Sequence, residues 1–273
     1  MLDLIDKPAS RHRLEVIMEY GLIGEKLGHS YSKQIHHELA DYDYELCPLT
    51  REEFPLFMEK KEFRAINVTI PYKCDVIPYL SVLDPLAEQI GAVNTIVNRD
   101  GKLYGYNTDY YGFLYLLEKY KINVKGKKVL VLGNGGAAQP VFLALFTQGA
   151  DTVVTVKYKE EAGTVTYTQA AALHADADII INTSPVGMYP NVDATPIDLS
   201  PYKNLSAAVD IIANPLKTRF LIEAGARGAK TAGGLSMLVA QAKYAVEYFL
   251  GVPVDNGKIA PIEKKIADLM EGR

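Results

Sequence analysis

The chain has 273 residues, 48% of them hydrophobic and 23% charged, as in ordinary soluble globular proteins built of one large or two medium domains. Its net charge of −4, with a pI near 5.8, argues against nucleic acid or an anionic membrane as the main partner. No apolar run approaches the roughly 20 residues that span a bilayer, and the two cysteines, Cys47 and Cys74, give neither a disulfide framework nor metal-ligand spacing.

Met1 to Glu19 is charged and mixed, with weak helical spacing and no apolar signal-peptide core, so a reducing cytoplasm is expected. Tyr20 to Gly24 reads as a first strand. The loop Glu25 to Ser32 follows, then a helix from about Lys33 to Ala40. Tyr44 to Leu49 reads as a second strand, and Thr50 with Glu53 three residues on forms a capping box for the next helix. The β-branched run Ala65 to Thr69 reads as a buried strand, broken by Pro71, which suits the first turn of a helix. That places Lys73 at a strand-to-helix junction, where open α/β sheets hold their ligands. Taken alone it is equally a solvated lysine beside a structural turn.

Gly91 to Asn98 and Lys102 to Tyr106 flank Asp100-Gly101, a hairpin signal. Asn107-Thr108-Asp109 opens a helix to about Tyr120. Asp109 is either an ordinary first-turn acid or the partner of Lys73 in an acid–base pair. After Lys125-Gly126-Lys127 the pattern changes to buried strands at Lys128–Gly133, Thr152–Val156, Asp178–Ile181 and Ala207–Ile211, with a short one at Ala229–Thr231. A helix from about Leu235 to Leu250 and an amphipathic segment, Ile259 to Met270, end the chain. Strands alternating with helices indicate α/β architecture in two lobes with a cleft between them.

The strand Val129–Leu132 runs into Gly133-Asn134-Gly135-Gly136-Ala137-Ala138, a G-x-G-x-x-A loop ahead of a helix. Gly133 allows the turn, Gly135 lets a pyrophosphate approach the backbone, and the helix N-terminus favours its charge. At the end of the next strand stands Val156-Lys157-Tyr158-Lys159, with no acid for a ribose hydroxyl. Cations there suit a 2′-phosphate, hence NADP rather than NAD, unless Lys157 and Lys159 simply pair with Glu160 and Glu161. Ser30 and Ser32 stand just ahead of a helix as a carboxylate or phosphate site, or one of them is an N-cap. His29, His36 and His37 lack partners at ligand spacing, so no metal is expected.

These blocks, in this order, resemble the shikimate dehydrogenase family: Gly28 to Ser32, Asn67 to Lys73, Gly91 to Thr95, Gly105 to Asp109, the loop at Gly133, Asn182 to Met188, Asp210 with Asn214-Pro215, and Gly234 to Leu238 with Gln241. The resemblance implies an N-terminal α/β substrate lobe (1–112, completed by 236–273) and a Rossmann-like NADP-binding lobe (113–235), with the C-terminal helices returning to the first. It implies Lys73 and Asp109 as the catalytic pair, Ser30 and Ser32 on the substrate carboxylate, and Asn67, Thr69, Asn94, Asp109 and Gln241 on ring hydroxyls. The implied cofactor contacts are Gly133, Asn134, Gly135, Gly136, Ala137, Lys157, Thr183, Met188, Gly234 and Met237, with nicotinamide near the two methionines. The implied reaction is reversible NADP-dependent reduction of 3-dehydroshikimate to shikimate, by a monomer or homodimer.

Lys33 stands where the family has proline, Val156-Lys157-Tyr158 where it has Asn-Arg-Thr, and Ala213 where it has tyrosine. The segment from Tyr158 to Asp178 is short, as if a helix were trimmed. Because most departures fall on the cofactor side, two other readings stay open. One is a quinate or quinate/shikimate dehydrogenase using NAD. The other is a substrate-binding paralogue with a weakened cofactor site.

Overall fold

The computed structural model describes residues 18–28 and 30–272. The weak helical spacing expected up to residue 17, and the reading of His29 as a non-ligand, lie outside the described residues.

The first half of the chain builds β1 (Tyr20–Gly24), α1 (Ser32–Leu39), β2 (Tyr44–Pro48), α2 (Glu53–Lys60) and β3 (Ala65–Val68). The expected capping box is present ahead of α2: Thr50 N donates to Glu53 Oε2 at 2.9 Å and Glu53 N to Thr50 Oγ1 at 3.2 Å. The helix expected from Pro71 does not form. Residues 70–76 are a run of turns, followed by a single 3₁₀ turn at Ile77–Tyr79. The Lys73 carbonyl accepts Val93 N at 2.8 Å instead of Ile77 N, and Pro78 has no N–H for the carbonyl of Cys74, so neither bond of a continuing helix is made. Lys73 therefore sits in a turn segment, anchored by its neighbour Tyr72. That ring is buried and stacked 4.2 Å from Phe54, and its hydroxyl donates to Leu49 O at 2.7 Å.

β4 (Val82–Leu83), α3 (Pro85–Ile90), β5 (Thr95–Arg99), β6 (Lys102–Tyr106) and α4 (Asp109–Lys119) complete this part. The β5–β6 hairpin turns on Asp100 and Gly101, both at positive φ (52° and 81°), the backbone that Asp-Gly accommodates. The six strands lie in the order β2-β1-β3-β5-β6-β4. β1, β2 and β3 are parallel, and β5 runs antiparallel to both β3 and β6.

The second half builds β7 (Lys128–Leu132), α5 (Gln139–Thr147), β8 (Thr152–Lys157), β9 (Val165–Thr166), α6 (Tyr167–Leu173), β10 (Ile179–Asn182), β11 (Ala207–Asp210), α7 (Arg219–Ala226) and β12 (Lys230–Gly233). These strands form an all-parallel sheet, order β12-β11-β10-β7-β8-β9. The chain goes from β7 to one side and then crosses to β10 on the other. The crevice at this switch point lies outside the carboxyl ends of β7 and β10.

α8 (Leu235–Leu250) and α9 (Ile259–Glu271) return to the first sheet. α8 leaves the end of β12, and about 24 Å later its last turns stack Tyr248 on Tyr106 and Phe249 on Tyr20. Gly112 of α4 permits the close crossing with α8, because a Cβ there would lie 2.7 Å from Met237 O and 2.9 Å from Gln241 Cβ. Among the described residues, no helix is long and apolar enough to cross a membrane.

Candidate active site

Lys73 Nζ donates to Asp109 Oδ2 at 2.6 Å, and the two side chains are only 12% and 9% exposed. Two anchors make the pair. The Lys73 carbonyl accepts Val93 N at 2.8 Å, which ties the turn segment to the loop before β5. Asp109 is the first residue of α4, whose start is held by Asn94 Oδ1 accepting from Thr108 N at 2.8 Å. Asp109 is thus both the first-turn acid of α4 and the partner of Lys73.

Asn94 and Gln241 meet behind this pair. Gln241 Oε1 accepts from Asn94 Nδ2 at 3.5 Å and from Thr108 Oγ1 at 3.4 Å, so α8 reaches the first lobe. Asn67 is buried near the end of β3, in register with Thr95. Its Nδ2 donates to Asn94 O and Thr95 Oγ1 (3.2 Å each), and its Oδ1 accepts from Tyr44 OH at 2.7 Å. Both amide protons are thus committed, so a ring hydroxyl would share the carbonyl oxygen. Thr69 follows β3 directly, and its N–H donates to Ile23 O of β1 at 2.9 Å.

Ser30 and Ser32 are brought together, with Ser30 Oγ donating to Ser32 Oγ at 3.1 Å and accepting from Ser32 N at 3.2 Å. Tyr31, at the cap position of α1, makes no side-chain capping bond, and the first helical N–H, that of Ser32, is taken by Ser30 Oγ, so the pair also serves the start of the helix. The sequence alone assigns no role to Tyr44 or to the hydroxyls of Thr95 and Thr108. The two threonines lie inside the quoted motifs, but nothing in a linear pattern pairs Tyr44 with Asn67. Tyr44 is stacked 3.9 Å from His36. Burial pushes the phenol well above its usual value and lowers the imidazole to about 3. Tyr44 remains a donor and His36 remains neutral.

In the second lobe Gly133 closes β7 at φ 106°, and a Cβ there would lie 3.0 Å from Thr183 Oγ1. Thr183 in turn donates to Leu132 O at 2.8 Å, which joins the loops after β7 and β10 at the switch point. Asn134 Oδ1 accepts from Gln139 Nε2 at 3.1 Å. Ala137 lies in the turn that leads into α5. Gly135 faces open space, and Gly136 faces Lys73, whose Cβ would lie 3.8 Å from a Cβ on the glycine. A glycine-rich loop at a strand end, open at Gly135 and ahead of α5, fits a pyrophosphate. The same loop looks across at the lysine.

Met188 is 46% exposed, whereas Met237 is 7% exposed and packed in the core beneath α4. Gly234 precedes α8 so closely against Ile211 O (2.1 Å from a Cβ) that no side chain fits. Lys157 ends β8 and pairs with Glu161 Oε2 at 2.5 Å, one of the two alternatives left open above.

A buried lysine–carboxylate pair facing a nucleotide-type glycine loop defines a two-lobed α/β dehydrogenase of the pyridine-nucleotide class. Residues 22–96 match the family model described as the shikimate dehydrogenase substrate binding domain. The chain is 41% identical over 254 residues to the shikimate dehydrogenase (NADP(+)) of Clostridium beijerinckii, covering 87% of this chain and 93% of that one. It belongs to the shikimate dehydrogenase family. Solved structures agree. Shikimate dehydrogenase 1 from Peptoclostridium difficile is similar with a TM-score of 0.84 at 34% identity, over 91% of this chain and 97% of that one. Shikimate 5-dehydrogenase from Thermus thermophilus, solved with NADP(H) and shikimate, gives 0.81 at 29% identity, over 91% and 99%.

Proposed function

We infer that this chain reversibly reduces 3-dehydroshikimate to shikimate with NADP(H), in aromatic amino-acid biosynthesis. The observation that carries the reading is the Lys73–Asp109 pair at 2.6 Å, set against the open glycine loop through Gly136. The described residues within 1–112 and 236–273 form the substrate lobe, and 113–235 the cofactor lobe. The loop Gly133 to Ala137 would hold the pyrophosphate, with Thr183, Met188, Gly234 and Met237 toward the nicotinamide and Lys157 toward the 2′-phosphate. When bound, NADPH supplies the hydride.

The chain's own residues then do the rest. Lys73, as an ammonium, donates a proton to the oxygen of the carbonyl being reduced, and in the oxidative direction it accepts that proton as an amine. Such help is typically worth about 10²–10⁴-fold in rate. Asp109 holds the lysine in line and can accept a bond from a neighbouring hydroxyl. Ser30 and Ser32 take the carboxylate, while Asn94, Gln241, Thr69 and the Asn67 carbonyl oxygen take ring hydroxyls. The two free cysteines, Cys47 and Cys74, fit a reducing compartment.

The test is turnover by purified protein with shikimate or quinate against NADP or NAD. The reading predicts the shikimate–NADP combination as the best of the four. Quinate with NAD as the best pair would make the chain a quinate dehydrogenase. Substrate binding without turnover would make it a paralogue.

A further inference from the structure

Asp210 stands in one of the matched blocks, yet the mechanism above gives it no task. It closes β11 and is fully buried. Among the described residues the carboxylate has no cation paired with it and is held by neutral donors. Oδ1 accepts from Asn182 Nδ2 and from Ile212 N, each at 3.1 Å, and Oδ2 accepts from Thr218 Oγ1 at 2.7 Å. Burial outweighs these bonds and raises its pKa to about 6. Burying such a group carries a cost that an apolar side chain would avoid.

Each donor belongs to a different piece of the crevice wall. Asn182 ends β10 and organises the loop that follows it. Its Oδ1 accepts from Ser184 N (3.0 Å) and Ser184 Oγ (2.7 Å), and its Nδ2 also donates to Val186 O at 3.2 Å. Ile212 lies in the loop after β11, and its carbonyl accepts Gly234 N at 3.0 Å, at the entry to α8. Thr218 caps α7 and lies under Gly187, its Cβ 3.6 Å from the position of a Cβ on that glycine. One carboxylate therefore ties together the segments that carry Thr183, Met188, Gly234 and Met237. All four lie on the β10–β12 side of the switch point, opposite the β8 side that carries Lys157. In a doubly wound sheet the two halves take the two halves of a dinucleotide.

We propose that Asp210 is a positioning residue for the nicotinamide half of the cofactor, clamping the loops after β10 and β11 to the start of α8. The inference rests on reading the glycine-loop lobe as the cofactor lobe. Asp210 touches no reacting atom. It adds side-chain bonds to the backbone ones that join these loops, Ile211 N to Asn182 O at 3.1 Å and Tyr189 N to Asn214 O at 3.2 Å. An acceptor-only group suits this role, because three donors converge on it.

The experiment measures NADP and shikimate dissociation constants directly, by calorimetry, in the wild type and in Asp210→Asn. The amide keeps its oxygen for Asn182 and Ile212 and must turn its NH₂ to the Thr218 hydroxyl, which then accepts instead of donating; the charge-assisted bonds are lost, so NADP binding should weaken about tenfold. Shikimate binding should stay within about twofold. Val209→Ala, a cavity in the same strand that leaves the clamp intact, controls for general loss of stability. Should Asp210→Asn fail to fold, Thr218→Val and Thr218→Ser decide. The valine variant should lose NADP affinity and the serine variant should restore it. Unchanged NADP affinity in Asp210→Asn, an equal loss in Val209→Ala, or no rescue by serine overturns the proposal. A wild-type protein that does not bind NADP overturns the cofactor reading itself, and the clamp with it.

Discussion

At 2.6 Å, and nearly out of water, the Lys73 ammonium and the Asp109 carboxylate hold each other in one geometry. Lys73→Met keeps the apolar stem and deletes the charge. It should lower turnover by about 10²–10⁴-fold while shikimate affinity stays within a few-fold. The serines do different work. Ser30→Ala and Ser32→Ala should each weaken substrate binding by about 1–3 kcal/mol, the cost of losing a bond to a charged group. Turnover at saturation should fall less, because the carboxylate does not change charge in the reaction. Steady-state kinetics separate the two patterns, and equal losses in kcat and kcat/KM would place the serines at the reacting centre instead. On the cofactor side, Lys157 shares its charge with Glu161. Glu161→Gln should therefore strengthen NADP relative to NAD, and Lys157→Ala should abolish most of the preference. Both effects should shrink at high salt, where a partly exposed contact is screened. Unchanged cofactor ratios in both variants would remove Lys157 from the site. At this scale the motif residues are legible in the sequence, since each block keeps its chemistry within a few positions. The partners that orient them are not. Tyr44 reaches Asn67 only because β2, β1 and β3 are neighbours in the sheet.

Among elements, the α4–α8 crossing decides whether the site exists, because α4 supplies Asp109 and α8 supplies Gln241. Gly112→Ala would put a Cβ 2.7 Å from Met237 O and 2.9 Å from Gln241 Cβ. The helices must separate, at about 1–3 kcal/mol, the usual cost of overpacking. Thermal unfolding should show the loss, and the KM for shikimate should rise as Gln241 moves off. A stable variant with unchanged KM would mean that the crossing has slack. Helix α8 is legible at its full extent, Leu235–Leu250, from its apolar periodicity. The turn segment after β3 reads as a helix in the sequence because Pro71 is a favourable helix start. What overrides it lies further along the chain, in Val93, whose N–H takes the Lys73 carbonyl, and in Pro78. The short elements β4, β9, α3 and α6 carry no periodic signal, since two to seven residues give too few repeats to establish one.

Over the whole molecule, two buried groups act against each other as pH falls. Burial lowers His36 from 6.5 to about 3, so between those values the unfolded chain binds the extra proton and acid destabilises the fold. Burial raises Asp210 from 3.8 to about 6, so between those values the folded chain holds the extra proton and acid favours it. Each slope approaches about 1.4 kcal/mol per pH unit, and between about pH 4 and 6 they nearly cancel. Urea unfolding across that range should show Asp210→Asn losing stability on acidification faster than the wild type, and His36→Phe losing it more slowly. Parallel curves would show that neither group titrates as its burial dictates. The two-lobed plan is readable because a glycine loop after a buried strand marks the second lobe. The mixed order of the first sheet is not, since pairing across a sheet leaves no mark on spacing along the chain. In the proposed mechanism Lys73 facing Gly136 joins the lobes, and one measurement tests that junction most directly. It is NADP-dependent oxidation of shikimate by the wild-type protein and by Lys73→Met, with shikimate affinity measured alongside. The expected result is turnover by the wild type, a loss of about 10²–10⁴-fold in the variant, and shikimate binding within a few-fold in both. Near-normal turnover by Lys73→Met would contradict it.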